Sequence, residues 1–132
     1  MSFGCLIVDE DTVGLTMLNR YLAGRDRLAV QAAGSVREAL DAMGRKKFHV
    51  LIVDFSLPAA GKNELMTMAK ESEPFVQIIA ALPEVDVFRA SEYFTRGASD
   101  FVTKPYKNGD VDMAVRFAMD RWERWRQLLG IC

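Results

Sequence analysis

The sequence is poor in the residues that staple, coordinate or anchor a chain: two cysteines, one histidine and four prolines among 132 residues. Cys5 lies in an apolar strand pattern and Cys132 is the last residue, so no disulfide framework is indicated and a reduced, cytoplasmic chain is the simpler expectation. No apolar run approaches the roughly 18 residues of a membrane span, and no secretory hydrophobic segment opens the chain, so no membrane association is expected. Neither sign of charge dominates. Seventeen basic and 18 acidic residues give a net charge of −1, and no basic stripe suited to nucleic acid stands out. Low-complexity segments and linkers are also lacking. What remains is one globular domain, long enough to bury roughly 70% of its unfolded surface without a metal or a disulfide.

Short apolar runs alternate with segments of helical period. FGCLIV at 3–8 is continuous and suits a strand covered on both faces. Leu15, Leu18 and Leu22 then share a helical face, with Asp11 or Thr12 as N-cap and Gly24 as the stop. Leu28 to Ala33 forms a second strand. Ser35 and Glu38 have capping-box spacing ahead of Val36, Ala39, Leu40 and Met43. HVLIVD at 49–54 repeats the LIVD of the first strand, Leu65, Met68 and Ala69 mark a third helix, and VQIIAAL at 76–82 is a fourth strand. Val87, Ala90 and Phe94 give a helix stopped by Gly97, Phe101 to Thr103 is a fifth strand, and a last helix starts near Asp110. Five βα units imply a parallel sheet with helices on both faces.

Such sheets bind ligands beyond the carboxyl ends of their strands. Asp9, Glu10 and Asp11 follow the first strand, Asp54 the third and Lys104 the fifth, so all fall on that edge. If the two LIVD strands are neighbours, their terminal carboxylates lie close, and like charges about 4 Å apart repel by about 4 kcal/mol at an effective dielectric near 20. A hard divalent cation such as Mg²⁺, which takes one or two carboxylates with waters and phosphate oxygens, offsets that repulsion, and Lys104 adds a movable positive charge. Asp11 also suits a helix N-cap, and His49, the lone histidine, reads as structural.

LIVDED, LIVDFSLP and DFVTKPY, in this order and spacing over residues 3–120, resemble the receiver domain of response regulators, similar to its single-domain chemotaxis form. The resemblance implies a flavodoxin-like, doubly wound (βα)5 fold with a five-stranded parallel sheet of order 2-1-3-4-5. It implies two-component signalling, in which Asp54 accepts a phosphoryl group from the phosphohistidine of a partner histidine kinase or phosphotransfer protein. Asp9 and Glu10 match the acidic pair that holds Mg²⁺, with Asp54 and the main-chain carbonyl of Ser56 as further ligands. Lys104 matches the lysine that pairs with the acceptor and then with the phosphoryl group, and the bond to Pro105 is expected to be cis. A protein of this kind catalyses only its own phosphorylation and dephosphorylation.

Departures accompany the matches. Counting back from Lys104 and Gly97, Leu82 stands where the family carries a Ser or Thr whose hydroxyl bonds the phosphoryl group; Pro83 follows it, and Phe101 fills the aromatic switch position without a phenol. Gly61 and Lys62 replace the family's frequent Asp-Gly pair. Two rival readings are a pseudo-receiver that only binds partners, and a haloacid-dehalogenase-like phosphatase with Asp9 as nucleophile and Asp11 as acid/base; the latter needs a longer chain and gives Asp54 no role. Val111, Val115, Ala118, Trp122, Trp125 and Leu129 form a heptad seam on the last helix. The seam divides the chain into a domain over 1–120 and a helical extension over 121–132. Trp122, Trp125 and Leu129 are expected to overhang the sheet and to mediate a homodimer or continue into a helical linker.

Overall fold

The computed structural model describes residues 2–83 and 87–130, the side chains of 87–90 excepted. Cys132 and the side chains of Val87 and Ala90 therefore lie outside the described residues. The apolar runs form β1 (Phe3–Val8), β2 (Leu28–Ala33), β3 (Val50–Asp54), β4 (Gln77–Leu82) and β5 (Asp100–Thr103). Between and after them run α1 (Thr12–Leu22), α2 (Val36–Arg45), α3 (Ala59–Ser72), α4 (Val87–Thr95) and α5 (Asn108–Leu128). All neighbouring strands are parallel, in the order β2-β1-β3-β4-β5 expected of a flavodoxin-like sheet.

β1 and, up to Asp54, β3 are apolar because alternate residues feed two cores. Leu6, Val8, Leu51 and Val53 point to the side of α2 and α3, whereas Cys5, Ile7, Val50 and Ile52 point to α1 and α5. Register sets the functional edge: Val8 pairs with Val53, Asp54 with Ala81 and Leu82 with Thr103, so Asp9, Asp54 and Lys104 emerge at neighbouring strand ends. Two caps match the sequence pattern. Asp11 accepts a hydrogen bond from the Val13 N–H at the start of α1, and Ser35 accepts one from the Glu38 N–H at the start of α2. Glu38 closes its side of the box on the Gly34 N–H.

Cys5 is buried, which pushes its thiol up to about 12 and leaves it an inert core group. His49 is structural, as its position suggested. Its Nδ1 accepts from the Gly4 N–H at 2.9 Å, and burial, together with Lys47 and against the pull of Glu73, holds its imidazole below the usual value.

Trp122 differs from the expectation of an overhanging residue. It is 6% exposed, and its ring meets Phe3 and His49 edge to face, with centroids 5.4 and 4.8 Å away. These aromatics at the amino edge of the sheet extend the surface on which α5 lies, so burial of its stripe continues one turn past Ala118. The stripe emerges only at Trp125 and Leu129, which are 49% and 55% exposed.

Candidate functional site

The carboxyl edge collects three strand ends around one ammonium. Lys104, the residue after β5, places Nζ 3.1 Å from Oδ2 of Asp9 and 3.3 Å from Oδ2 of Asp54. Its backbone N–H donates to the Leu82 carbonyl at 2.6 Å, which continues the β4–β5 ladder past the strand and fixes where the side chain starts. The Lys104–Pro105 bond is cis, as expected. Both carboxylates are buried, Asp9 completely and Asp54 to within 4%, so neither is solvated enough to tolerate its charge unaided.

Each carboxylate is held differently. Asp54 Oδ1 accepts from the Ser56 N–H at 3.0 Å and from the Ser56 hydroxyl at 2.5 Å, while Oδ2 faces Lys104. Burial works against charge on Asp54, but the Ser56 hydroxyl and amide, with Asp9 and Lys104, outweigh it and hold the carboxyl below the usual range. Asp9 takes the Asp11 N–H on Oδ1 at 2.9 Å and the Tyr106 hydroxyl on Oδ2 at 2.8 Å. Here burial wins over those donors and Lys104, and the pKa is raised. Lys104 is pushed up despite its own burial because it faces two carboxylates. The Tyr106 phenol is raised by burial and by Asp9, so it stays protonated and donates.

Of the residues expected from the sequence, Asp9, Asp54 and Lys104 are brought into contact, and Ser56 joins through its amide and hydroxyl. Glu10 is exposed beside them. Asp11 turns its side chain to the α1 N-terminus, which fits a cap and not the acid/base of a phosphatase. Leu82 is 2% exposed in the α2/α3-side core, and Phe101 packs against that core with its ring 6.1 Å from Phe94.

Two contributors escaped the sequence reading. Tyr106 bonds Asp9 across 97 positions. Gly14 leaves room for that pair, since a Cβ there would lie 2.8 Å from Asp9 Oδ2 and 3.2 Å from Tyr106 Cε2. The one available signal was a glycine in the first turn of a helix, which costs about 1 kcal/mol relative to alanine and so has a packing reason.

The donor set fits a hard divalent cation. Asp9, Glu10 and Asp54 carry three negative charges against one on Lys104, and the two buried carboxylates already converge on a cation. Among the described residues no group of three or more His, Cys, Asp or Glu side chains is arranged to hold a metal ion.

Comparison with known proteins agrees with this geometry. A profile of the response regulator receiver domain matches residues 5–116. The chain is 31% identical over 109 residues to the DNA-binding transcriptional regulator NtrC of Klebsiella pneumoniae, and 30% identical over 111 residues to the regulatory protein LuxO of Vibrio cholerae. Each alignment covers 83% of this chain but only 22% and 24% of those proteins, so the chain spans less than a quarter of their length. Among solved structures, it is similar to a CheY-like receiver domain protein from Methanospirillum hungatei, with a TM-score of 0.80 at 22% identity over 94% of this chain and 98% of that one. It is also similar to the BeF3-activated DrrB receiver domain, with a TM-score of 0.77 at 25% identity over 91% of this chain and 99% of that one. No helix among the described residues is long and apolar enough to cross a membrane.

Proposed function

The chain belongs to the response regulator receiver domain family, and from that premise we propose that it accepts a phosphoryl group on Asp54 from the phosphohistidine of a histidine kinase or phosphotransfer protein. The observation that carries the reading is Lys104 Nζ within 3.3 Å of both Asp9 and Asp54 at the strand ends. Asp54, kept ionised by Ser56 and Lys104, is the nucleophile: its oxygen bonds phosphorus, the phosphorus–nitrogen bond breaks, and the imidazole leaves with the electron pair and takes up a proton. Lys104 then stays beside the new phosphoryl oxygens, and the two donors from Ser56 hold the acceptor carboxylate in one orientation. Asp9, Glu10, Asp54 and the Ser56 carbonyl would hold Mg²⁺, which supplies neutralisation of the charge spread over the transferring group. The chain's part is positioning, so it acts as a phosphoacceptor and not as an enzyme with turnover. Incubation with a small phosphodonor, with and without Mg²⁺, followed by mass spectrometry of the modified peptide, tests the reading. Modification that needs the metal and maps to Asp54 supports it, and modification of Asp9 instead sinks it.

The relay beyond the acceptor is altered. Leu82 offers no hydroxyl to a phosphoryl group and its side chain already fills the core, so phosphorylation has little differential contact with which to move Phe101. Leu82→Thr should enlarge the chemical-shift response of Phe101 to beryllofluoride. An undiminished response in the native protein, equal to that of Leu82→Thr, would refute this.

With the receiver unit assigned to 1–120 and a helical extension to 121–132, the exposed end of α5 is where a second copy would pack. Trp125, Leu128 and Leu129 are 49%, 65% and 55% exposed in its last turns, and Trp125 and Leu129 continue the stripe that is buried upstream. Sedimentation should show concentration-dependent dimers that are lost on combined Trp125→Ala and Leu129→Ala substitution. A native protein that stays monomeric at high concentration rules out self-association through this helix.

A further inference from the structure

An ionised carboxylate offers about four lone-pair sites, and the buried carboxylate of Asp9 is met by four contacts. Oδ1 takes the Asp11 N–H at 2.9 Å and the Lys104 ammonium at 3.2 Å, while Oδ2 takes the Tyr106 hydroxyl at 2.8 Å and the same ammonium at 3.1 Å. These holders differ in how firmly they stand. Lys104 is a flexible stem, partly exposed and shared with Asp54 at 3.3 Å. Tyr106 is 3% exposed and packed in the core on the side of α1 and α5. Its carbonyl accepts from the Tyr21 hydroxyl of α1 at 3.4 Å, and its ring centroid lies 5.8 Å from the Lys104 ammonium. Where Tyr106 meets Asp9, α1 carries no side chain: a Cβ at Gly14 would fall 2.8 Å from Asp9 Oδ2 and 3.2 Å from Tyr106 Cε2. The phenol is built into the fold, whereas the ammonium has room to leave.

We infer that Tyr106 is a positioning residue of the metal site: by holding Oδ2 of Asp9, its hydroxyl fixes the orientation in which that carboxylate meets Mg²⁺. The inference rests on Asp9 being a ligand of the ion. With its contacts filled, Asp9 takes a second cation only as one of them yields. Lys104 is the one that yields, because like charges repel and its stem can turn toward Asp54. The Asp11 amide and the Tyr106 hydroxyl are neutral donors on fixed groups, so they stay and set how the carboxylate lies. Hydrogen bonds of this kind orient ligating carboxylates, and the loss of such a partner costs about 10- to 100-fold in metal affinity. Removing a neutral hydroxyl takes no charge from the site, so the effect falls on geometry. Mg²⁺ demands near-ideal octahedral surroundings whereas Ca²⁺ accepts flexible ones, so an orienting hydroxyl matters more to the first ion than to the second.

The test titrates the full chain with Mg²⁺ and, separately, with Ca²⁺, read by the backbone amide signal of Asp11. In Tyr106→Phe, which keeps the ring and loses only the hydroxyl, the Kd for Mg²⁺ rises about tenfold and that for Ca²⁺ by less than about threefold. A native Mg²⁺ affinity in Tyr106→Phe, or losses of equal size for the two ions, overturns the inference and leaves Asp9 as a ligand. A measurement on the native protein holds whether or not Tyr106→Phe folds: exchange of the Tyr106 hydroxyl proton with solvent, read at Cζ. Exchange is slow without metal and stays slow at saturating Mg²⁺. Fast exchange at saturation means that the ion displaces the hydroxyl, which overturns the inference. A native protein that binds no Mg²⁺, or an affinity unchanged by Asp9→Asn, overturns the reading of Asp9 as a ligand and this inference together.

Discussion

Asp54→Asn should abolish the covalent phosphoryl adduct while the protein stays folded. The amide keeps an oxygen that can accept from Ser56 and keeps nearly the volume of the acid, so packing at the end of β3 changes little. What would disappear is the anionic oxygen proposed to attack phosphorus, and Asp9, the other buried carboxylate on this edge, is not expected to replace it. Asp9 is raised by burial and bonded by Tyr106 and the Asp11 amide, whereas Asp54 is held ionised. Removing a nucleophile outright costs orders of magnitude in rate, unlike removal of a group that only orients it. The measurement is intact mass after exposure to a phosphodonor with Mg²⁺, beside circular dichroism to verify the fold. Persistent modification of Asp54→Asn at the native rate would mean that the acceptor lies elsewhere.

The parts of this molecule that follow from local rules could be read in advance. Strand alternation, the Asp11 and Ser35 caps, and the convergence of Asp9, Asp54 and Lys104 on one edge all follow from short-range pattern and the handed winding of βα units. What could not be read depends on which distant surfaces meet. Tyr106 meets Asp9 across 97 positions of chain, and Lys62 is buried where α3 comes against the rings of Phe55 and Tyr93. Nothing in a single charged residue distinguishes a lysine in water from one under two rings. Trp122 departs from the expected overhang for a related reason: Phe3 and His49 at the amino edge of the sheet give α5 another turn of apolar surface.

The second large effect falls on stability. Lys104→Met should destabilise the protein by about 3–4 kcal/mol, because removing one partner of a buried ion pair leaves charge uncompensated. The lower part of the usual range is chosen because the lysine side chain is itself 18% exposed, against 0% and 6% for its two carboxylate partners. For a domain of this size that corresponds to a fall in Tm of about 10 °C. Three further measurements separate this cause from lost packing. Asp54→Asn placed in the Lys104→Met background should recover most of the loss, since one negative charge then remains where two faced each other. Mg²⁺ should raise the Tm of Lys104→Met more than that of the native protein, because a divalent ion that binds the folded state stabilises it in proportion to its affinity, and there the ion no longer competes with an ammonium. The pH dependence carries a defined sign. In the native protein Asp54, with its lowered pKa, contributes stability that is present above the ordinary carboxylate value and lost as pH falls through the lowered one. Asp9, with its raised pKa, works the other way: its contribution is full below the ordinary value and lost as pH rises through the raised one. Without Lys104 both carboxyls move up, so one of them protonates more readily in the fold than in the unfolded chain. The deficit of Lys104→Met relative to native should therefore shrink as the solution is acidified. A deficit independent of pH, of Mg²⁺ and of Asp54→Asn would mean that Lys104 supports the fold by its stem alone, and the charge balance proposed for this edge would be wrong.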